Sequence, residues 1–329
     1  GSRDVLVDDF EAGPGTFPTG SADDGSSLAA DGGAYVITVP EGDWLDALPA
    51  PPVLELADGV MLAVVALWAA NNVITKTALD AGLAPSTYVG VRFALVAVIL
   101  WGYLLLRREP VRIRRSDLPR FIVSGLSGFA IYNMLFVIGL AHTSAFSAAI
   151  LISLAPVFML VIAAVLGLER VLPLQWLGVA LSLLGVAIFI GDKLLAGKPA
   201  FGDLLNVAAA LCFAIYGLTT GSLVHRYGPS ATTAWSVTVG LIGILPFTAR
   251  TLLTEDWSAI GRIGWAAMVY AAVISMMLAY SLWGWAIART GSGRSVPYLF
   301  LIPVLTGIFA IIFRGDHLEA AQVVGGAIA

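Results

Sequence analysis

The sequence predicts an all-α integral membrane protein: ten transmembrane helices arranged as two inverted five-helix repeats. Three observations carry this. Hydrophobic residues make up 58% of the 329-residue chain and charged residues only 12%, against roughly a quarter charged in a soluble domain. Apolar stretches long enough for a bilayer core of about 30 Å succeed one another from residue 59 onward. The two halves of that region also match each other at a nearly fixed spacing. Helices are the expected element, because an open strand leaves its backbone unsatisfied in lipid.

The first 55 residues are different in kind. Residues 1–50 hold ten Asp/Glu and one Arg, whereas residues 51–329 hold seventeen Lys/Arg and twelve Asp/Glu, so the formal net charge of -4 averages two unlike parts. This acidic, Gly/Ser/Asp-rich opening has one alternating run, AYVITV (Ala34–Val39), that reads as a strand. VDDFEAGPGTFPTG and DGGAYVITV resemble the start of a secreted β-sandwich domain. So few residues cannot bury a core alone. Segment 1–55 is therefore expected to be disordered or loosely folded, as a fusion fragment would be. It lacks the basic start and apolar core of a signal peptide.

The spans run in order. The first, 59–78, ends in ALWAANNVITK. The second, 86–106, starts after APST and stops at the Arg-rich loop RREPVRIRRSDLPR. The third is 119–140. The fourth, 145–167, contains Pro156 inside LISLAPVFMLV, and the fifth is 173–191. The sixth, 203–222, opens with GDLLNVAAALCFA; the seventh is 230–250 and the eighth 264–287. The ninth, 293–313, contains YLFLIPVL. The tenth, 318–329, reads as truncated because the chain stops inside it. The repeats then cover 56–193 and 199–329. If the side with six Arg between Arg107 and Arg120 is cytoplasmic, its loops hold ten Lys/Arg against five opposite. Both termini then face the cytoplasm.

Pro156 in LISLAPVF answers Pro303 in YLFLIPVL at a separation of 147. The same separation pairs Gln175 with Gln322 and Gly178 with Gly325. Earlier in each half it slips by two or three residues, where APST answers GPSA. Five spans is an odd number, so the second half enters the membrane from the other side. Such inverted repeats point to alternating access around a site at their interface. The matched prolines are hinge candidates, set against the general frequency of proline in membrane helices.

A first span like ALWAANNVITK and a run like SAAILISLAPVFMLVIAAVLGLE resemble the drug/metabolite transporter superfamily, and most of all its ten-helix EamA type. The likeness spans about residues 56–329, with Asp316 where that family usually has Glu. It implies a multi-pass protein of the cell's inner (plasma) membrane. It also implies a secondary active transporter that exports or exchanges small metabolites, such as amino acids or amphipathic compounds, and no enzyme. An integral membrane enzyme acting on lipid-linked substrates, or a channel or scramblase, is the alternative.

Polar groups inside spans are costly and mark functional candidates. Arg92, in YVGVRFALV, suits a substrate carboxylate; snorkelling to the interface or pairing with Asp80 are the competing readings. Tyr88, in the same span, is a further candidate lining residue. Asn71, Asn72 and Asn133 lie at similar depth and are expected to join Arg92 in one polar cluster, with helix–helix hydrogen bonding as the alternative. The second half offers aromatics: Tyr216 as counterpart of Asn71, Tyr280 of Asn133, then Trp283, and Trp235 in the seventh span. With Trp68 they suit amphipathic or aromatic solutes, set against the interfacial aromatic belt.

No Asp or Glu sits mid-span, so a buried carboxylate relay has no candidate. Lys76 and His142 read as interfacial. Glu169 and Asp316 read as groups at span ends. No Cys/His cluster has metal-ligand spacing and no glycine loop suits a phosphate, so neither metal nor cofactor is expected. The lone Cys212 excludes an intramolecular disulfide. No basic patch interleaves with aromatics, so the expected partners are the lipid bilayer and a small-molecule solute, with no nucleic acid. GLTTG at Gly217 to Gly221 permits close helix packing without fixing an oligomeric state.

Overall fold

The computed structural model describes residues 56–108, 112–167, 172–195, 197, 199–290 and 297–316, with four strands in the first 55 residues. The chain divides into two units, residues 1–55 and 56–329. The first contains β1 (Ser2–Val7), β2 (Gly20–Ser21), β3 (Ser27–Asp31) and β4 (Ala34–Pro40), in the antiparallel order β1-β4-β3-β2. The run AYVITV lies in β4. It has partners on both sides: Ile37 stands opposite Val5 on β1 and Leu28 on β3.

The second unit holds, among the described residues, nine helices long and apolar enough to cross a membrane. They are α1 (Leu56–Asp80), α2 (Pro85–Arg107), α3 (Arg115–His142), α4 (Ala145–Val165), α5 (Pro173–Leu195), α6 (Phe201–Tyr227), α7 (Pro229–Thr254), α8 (Arg262–Trp283, its helix continuing to Thr290) and α9 (Pro297–Arg314). The span expected at 318–329 lies outside the described residues, as does Glu169. Proline opens α2, α5, α7 and α9, where its missing N–H costs nothing and its fixed φ is already helical.

The packing is reciprocal. α1 packs on α8 and α9, while α6 packs on α3 and α4, and α2 and α7 meet across the middle. The first helix of each half thus docks on the third and fourth helices of the other. Two features of the helices repeat with the same symmetry. α3 and α8 each contain a π-helical stretch, Leu126–Ile131 and Tyr270–Leu278. α4 and α9 each break, at Ser153–Leu154 and at Phe300. Both breaks come just before the matched prolines. Pro156 and Pro303 therefore fall in the first turn of a restarted helix, where no backbone donor is required.

Charged side chains gather at the bundle ends. At the end opposite the Arg-rich loop, Asp80 takes Lys76 at 3.0 Å and Arg314 at 2.6 Å. Nearby, Asp203 takes Lys193 at 2.7 Å and the Thr143 hydroxyl at 2.6 Å. At the Arg-rich end, Asp117 takes Arg226 at 2.6 Å and the Tyr227 hydroxyl at 2.5 Å. α4 and α9 meet through the first half of α4, Ala145–Ile152, away from the Arg-rich end; the second half of α4 packs on α6 and α5 instead.

The α3–α6 seam depends on backbone-to-backbone approach. A Cβ on Gly139 would lie 2.8 Å from the Gly202 carbonyl, and one on Gly202 would lie 2.6 Å from the Gly139 carbonyl. Neither backbone can yield without parting the helices. Gly139→Ala is therefore expected to destabilise the protein by about 1–3 kcal/mol and lower its melting temperature in detergent. Gly221→Ala, where a Cβ meets nothing within 4 Å, leaves the melting temperature unchanged or raises it.

Candidate functional site

Arg92 projects from α2 about 10 Å along the helix from Pro85, and only 6% of it is exposed. It has not snorkelled to a helix end, and Asp80 is taken by Lys76 and Arg314. Both structural readings of Arg92 from the sequence therefore give way to a buried cation. Its Nη2 donates to Asn133 Oδ1 on α3. Its Nη1 makes a long contact of 3.5 Å to the Tyr88 hydroxyl, which in turn bonds the Thr75 hydroxyl at 2.8 Å. The guanidinium lies 4.6 Å from the ring centre of Phe93 and 5.4 Å from that of Tyr88. Its Nε is buried without a partner. Burying a charge costs several kcal/mol, and each ring face returns about 0.5–2 kcal/mol.

Asn133 is held in turn by the π-helical stretch of α3. Its Nδ2 donates to the Gly128 carbonyl at 3.1 Å, five residues back. Gly128 carries no side chain because the ring of Tyr216, from α6, occupies the space: a Cβ there would lie 2.2 Å from that ring. On α8 the equivalent carbonyl, Ser275, lies 147 residues after Gly128, the separation of the two prolines. It accepts from the Trp68 indole of α1 at 3.0 Å. Each first helix thus sets an aromatic side chain against the π-helical stretch of the other half.

The aromatic side chains form two connected groups. Trp68 packs against Tyr280 at 5.1 Å and Trp283 at 5.4 Å between ring centres. Tyr216 touches Phe129 at 5.4 Å and Phe213 at 5.6 Å, and Phe213 touches Tyr132 at 5.0 Å. Phe93, whose ring faces the Arg92 guanidinium, touches Phe129 at 5.7 Å, so the Tyr216 group adjoins Arg92. Tyr280 sits mid-helix against Trp68 and is 53% exposed.

The residues singled out in the sequence separate. Arg92, Tyr88 and Asn133 come together, and Trp68, Tyr280 and Trp283 come together. Tyr216 backs the first group through Gly128. Asn72 turns away to donate to Thr306 on α9 at 3.3 Å, bridging the halves. Asn71 leaves its Oδ1 buried and unpartnered. The single polar cluster expected of Arg92 and three asparagines is therefore a pair, since adjacent Asn71 and Asn72 point about 100° apart on α1. Trp235 stands elsewhere, 5.3 Å from Trp101 on the α2–α7 seam. Tyr132 and Phe213 were not singled out. Phe213 had a signal, lying three residues before Tyr216 on the same helix face. Among the described residues no His/Cys/Asp/Glu group is able to hold a metal ion.

Comparison with known proteins agrees with this architecture. A protein of Streptantibioticus cattleyicolor named "Probable terminal-alkyne amino-acid exporter" is 29% identical over 282 residues, covering 84% of this chain and 91% of its own. A protein of Salmonella typhimurium named "Probable amino-acid metabolite efflux pump" is 26% identical over 281 residues, covering 82% and 91%. A crystal structure 18% identical in sequence matches the fold with a TM-score of 0.56, covering 83% of this chain and 93% of that one. The EamA-like transporter family matches twice, over residues 56–191 and 200–329, once for each half. With nine apolar helices among the described residues, a reciprocal two-repeat core and that double match, the chain belongs to the EamA-like transporter family.

Proposed function

We propose that the protein is a secondary active transporter that exports or exchanges small metabolites, amino acids or amphipathic compounds among them, by alternating access. The observation that carries the reading is a buried Arg92–Asn133 pair in the first repeat together with a Trp68–Tyr280–Trp283 group built from both repeats. A site shared between inverted repeats opens to one side or the other as the repeats rock. Among the described residues α4 meets α9 through Ala145–Ile152, at the end that also carries the Lys193–Asp203 and Arg314–Asp80 pairs joining the two repeats. With the Arg-rich loop cytoplasmic, the end that carries those pairs faces away from the cytoplasm of a plasma-membrane protein. The efflux names of the two relatives favour amino-acid-like cargo. Trp68, Tyr88, Arg92, Asn133, Tyr280 and Trp283 form the substrate wall, with Tyr216 behind it, and Pro156 and Pro303 mark the hinges.

Purified protein in proteoliposomes, preloaded with one member of a panel of amino acids and amphipathic cations, is expected to show saturable uptake that accelerates with substrate on the far side. Lipid turnover without solute flux would instead support an enzyme, and flux that never saturates would support a channel. Replacing both hinge candidates, Pro156→Ala with Pro303→Ala, is expected to slow turnover several-fold and leave the half-saturating concentration near its original value. A loss confined to that concentration would place the prolines in binding instead.

A further inference from the structure

We propose that Arg92 is the docking point for a carboxylate of the transported solute, so that the central site selects organic anions and zwitterions over organic cations that lack a carboxylate. The inference rests on the transporter reading above and adds the chemical class of its cargo.

The grounds are a cation without a counter-ion. Arg92 is 6% exposed, and among the described residues no carboxylate forms an ion pair with it. The acidic side chains are engaged at the bundle ends: Asp80 with Lys76 and Arg314, Asp117 with Arg226, Asp203 with Lys193, Asp58 with the Tyr298 hydroxyl. Asn133, which satisfies Nη2, is neutral. The buried Nε–H remains an unused donor on a planar fork whose shape matches a carboxylate. Asn133 also fixes the fork, because its amide is tied to the Gly128 carbonyl at 3.1 Å. Against the same guanidinium lies the ring of Phe93, which touches Phe129 at 5.7 Å, and Phe129 in turn touches Tyr216 at 5.4 Å. A solute with a carboxylate at one end and an apolar or aromatic body fits that order of groups.

The test uses the full chain in proteoliposomes and labelled L-phenylalanine as tracer. Two competitors each lack one charge of the tracer: 3-phenylpropanoate has no ammonium, and phenethylamine has no carboxylate. Phenethylamine is expected to compete at least about 10-fold more weakly than 3-phenylpropanoate. Asn133→Asp places a carboxylate against Arg92 and is expected to abolish that preference, as is Arg92→Gln. The ratio is internal to each variant, so reduced folding of either does not imitate the result. Equal competition in the wild-type protein, or an unchanged ratio in both variants, overturns the inference. Flux that requires chloride and ignores the competitors' carboxylate would assign Arg92 to an inorganic anion, and also overturns it. Saturable flux of a cation from the panel without flux of phenylalanine overturns the inference and leaves transport standing. Absence of saturable flux for every panel solute removes both.

Discussion

Each half of the helical unit is completed by the first helix of the other, and the contact that seals this exchange is an aromatic side chain set against a π-helical stretch. Tyr216 of α6 lies over Gly128 of α3, and Trp68 of α1 donates to the Ser275 carbonyl of α8. A π-helical stretch shifts the ladder from i−4 to i−5 and leaves carbonyls seeking other donors. In lipid no water is available to supply them. Asn133 serves Gly128 and Trp68 serves Ser275, so the two residues that satisfy the backbone are also those that meet Arg92 and the Tyr280–Trp283 pair. Between membrane helices, tight packing and hydrogen bonds take over from the hydrophobic effect. The Gly139–Gly202 approach and the nesting of Met159 against Gly217 are two of the places where packing is tight. The GLTTG pattern is thus used, through Gly217, within the chain.

The distribution of charge has the same solvent as its cause. At the bundle ends, water and short side chains let Asp80, Asp117 and Asp203 pair with cations on neighbouring helices. Several of these pairs join the two halves: Asp80 with Arg314, Asp117 with Arg226, and Thr143 with Asp203. Mid-bundle the chain keeps a single buried guanidinium, supported by an amide and two ring faces instead of a carboxylate. An internal ion pair would satisfy Arg92 permanently. A neutral shell holds the cation in place and leaves it available.

Most of the fold was legible because its signals are solvent signals. Apolar length gave the spans, and the matched prolines gave the repeat. Hidden from the sequence were the π-helical stretches, since hydrophobic periodicity carries no sign of one extra residue in a turn. That extra residue rotates the remainder of the helix, so Tyr132 reaches Phe213 while neighbouring Asn133 reaches Arg92. Arg92 was legible as an oddity, an arginine in an apolar run, but not as a cation lacking a counter-ion, because Asp80 lay at a plausible spacing and only the fold commits Asp80 to Lys76 and Arg314. Trp235 was indistinguishable in sequence from Trp68; the difference is its partner, Trp101 on the α2–α7 seam.

The prolines show how a break in a membrane helix is tolerated and what it permits. A proline in mid-helix forfeits a backbone bond and collides with the carbonyl four residues earlier. Here the helix stops three residues ahead of each proline and restarts, so the missing donor falls in a first turn that needs none. Ser153 helps to close the earlier segment, its hydroxyl donating to the Ile150 carbonyl at 2.6 Å. The segments on either side of the break in α4 then have different partners: Ala145–Ile152 packs on α9, and Ala155–Val165 packs on α6 and α5. A continuous helix would force both contacts to move together. The break at Ser153 separates those two sets of contacts, and the break at Phe300 stands at the equivalent place in the second repeat.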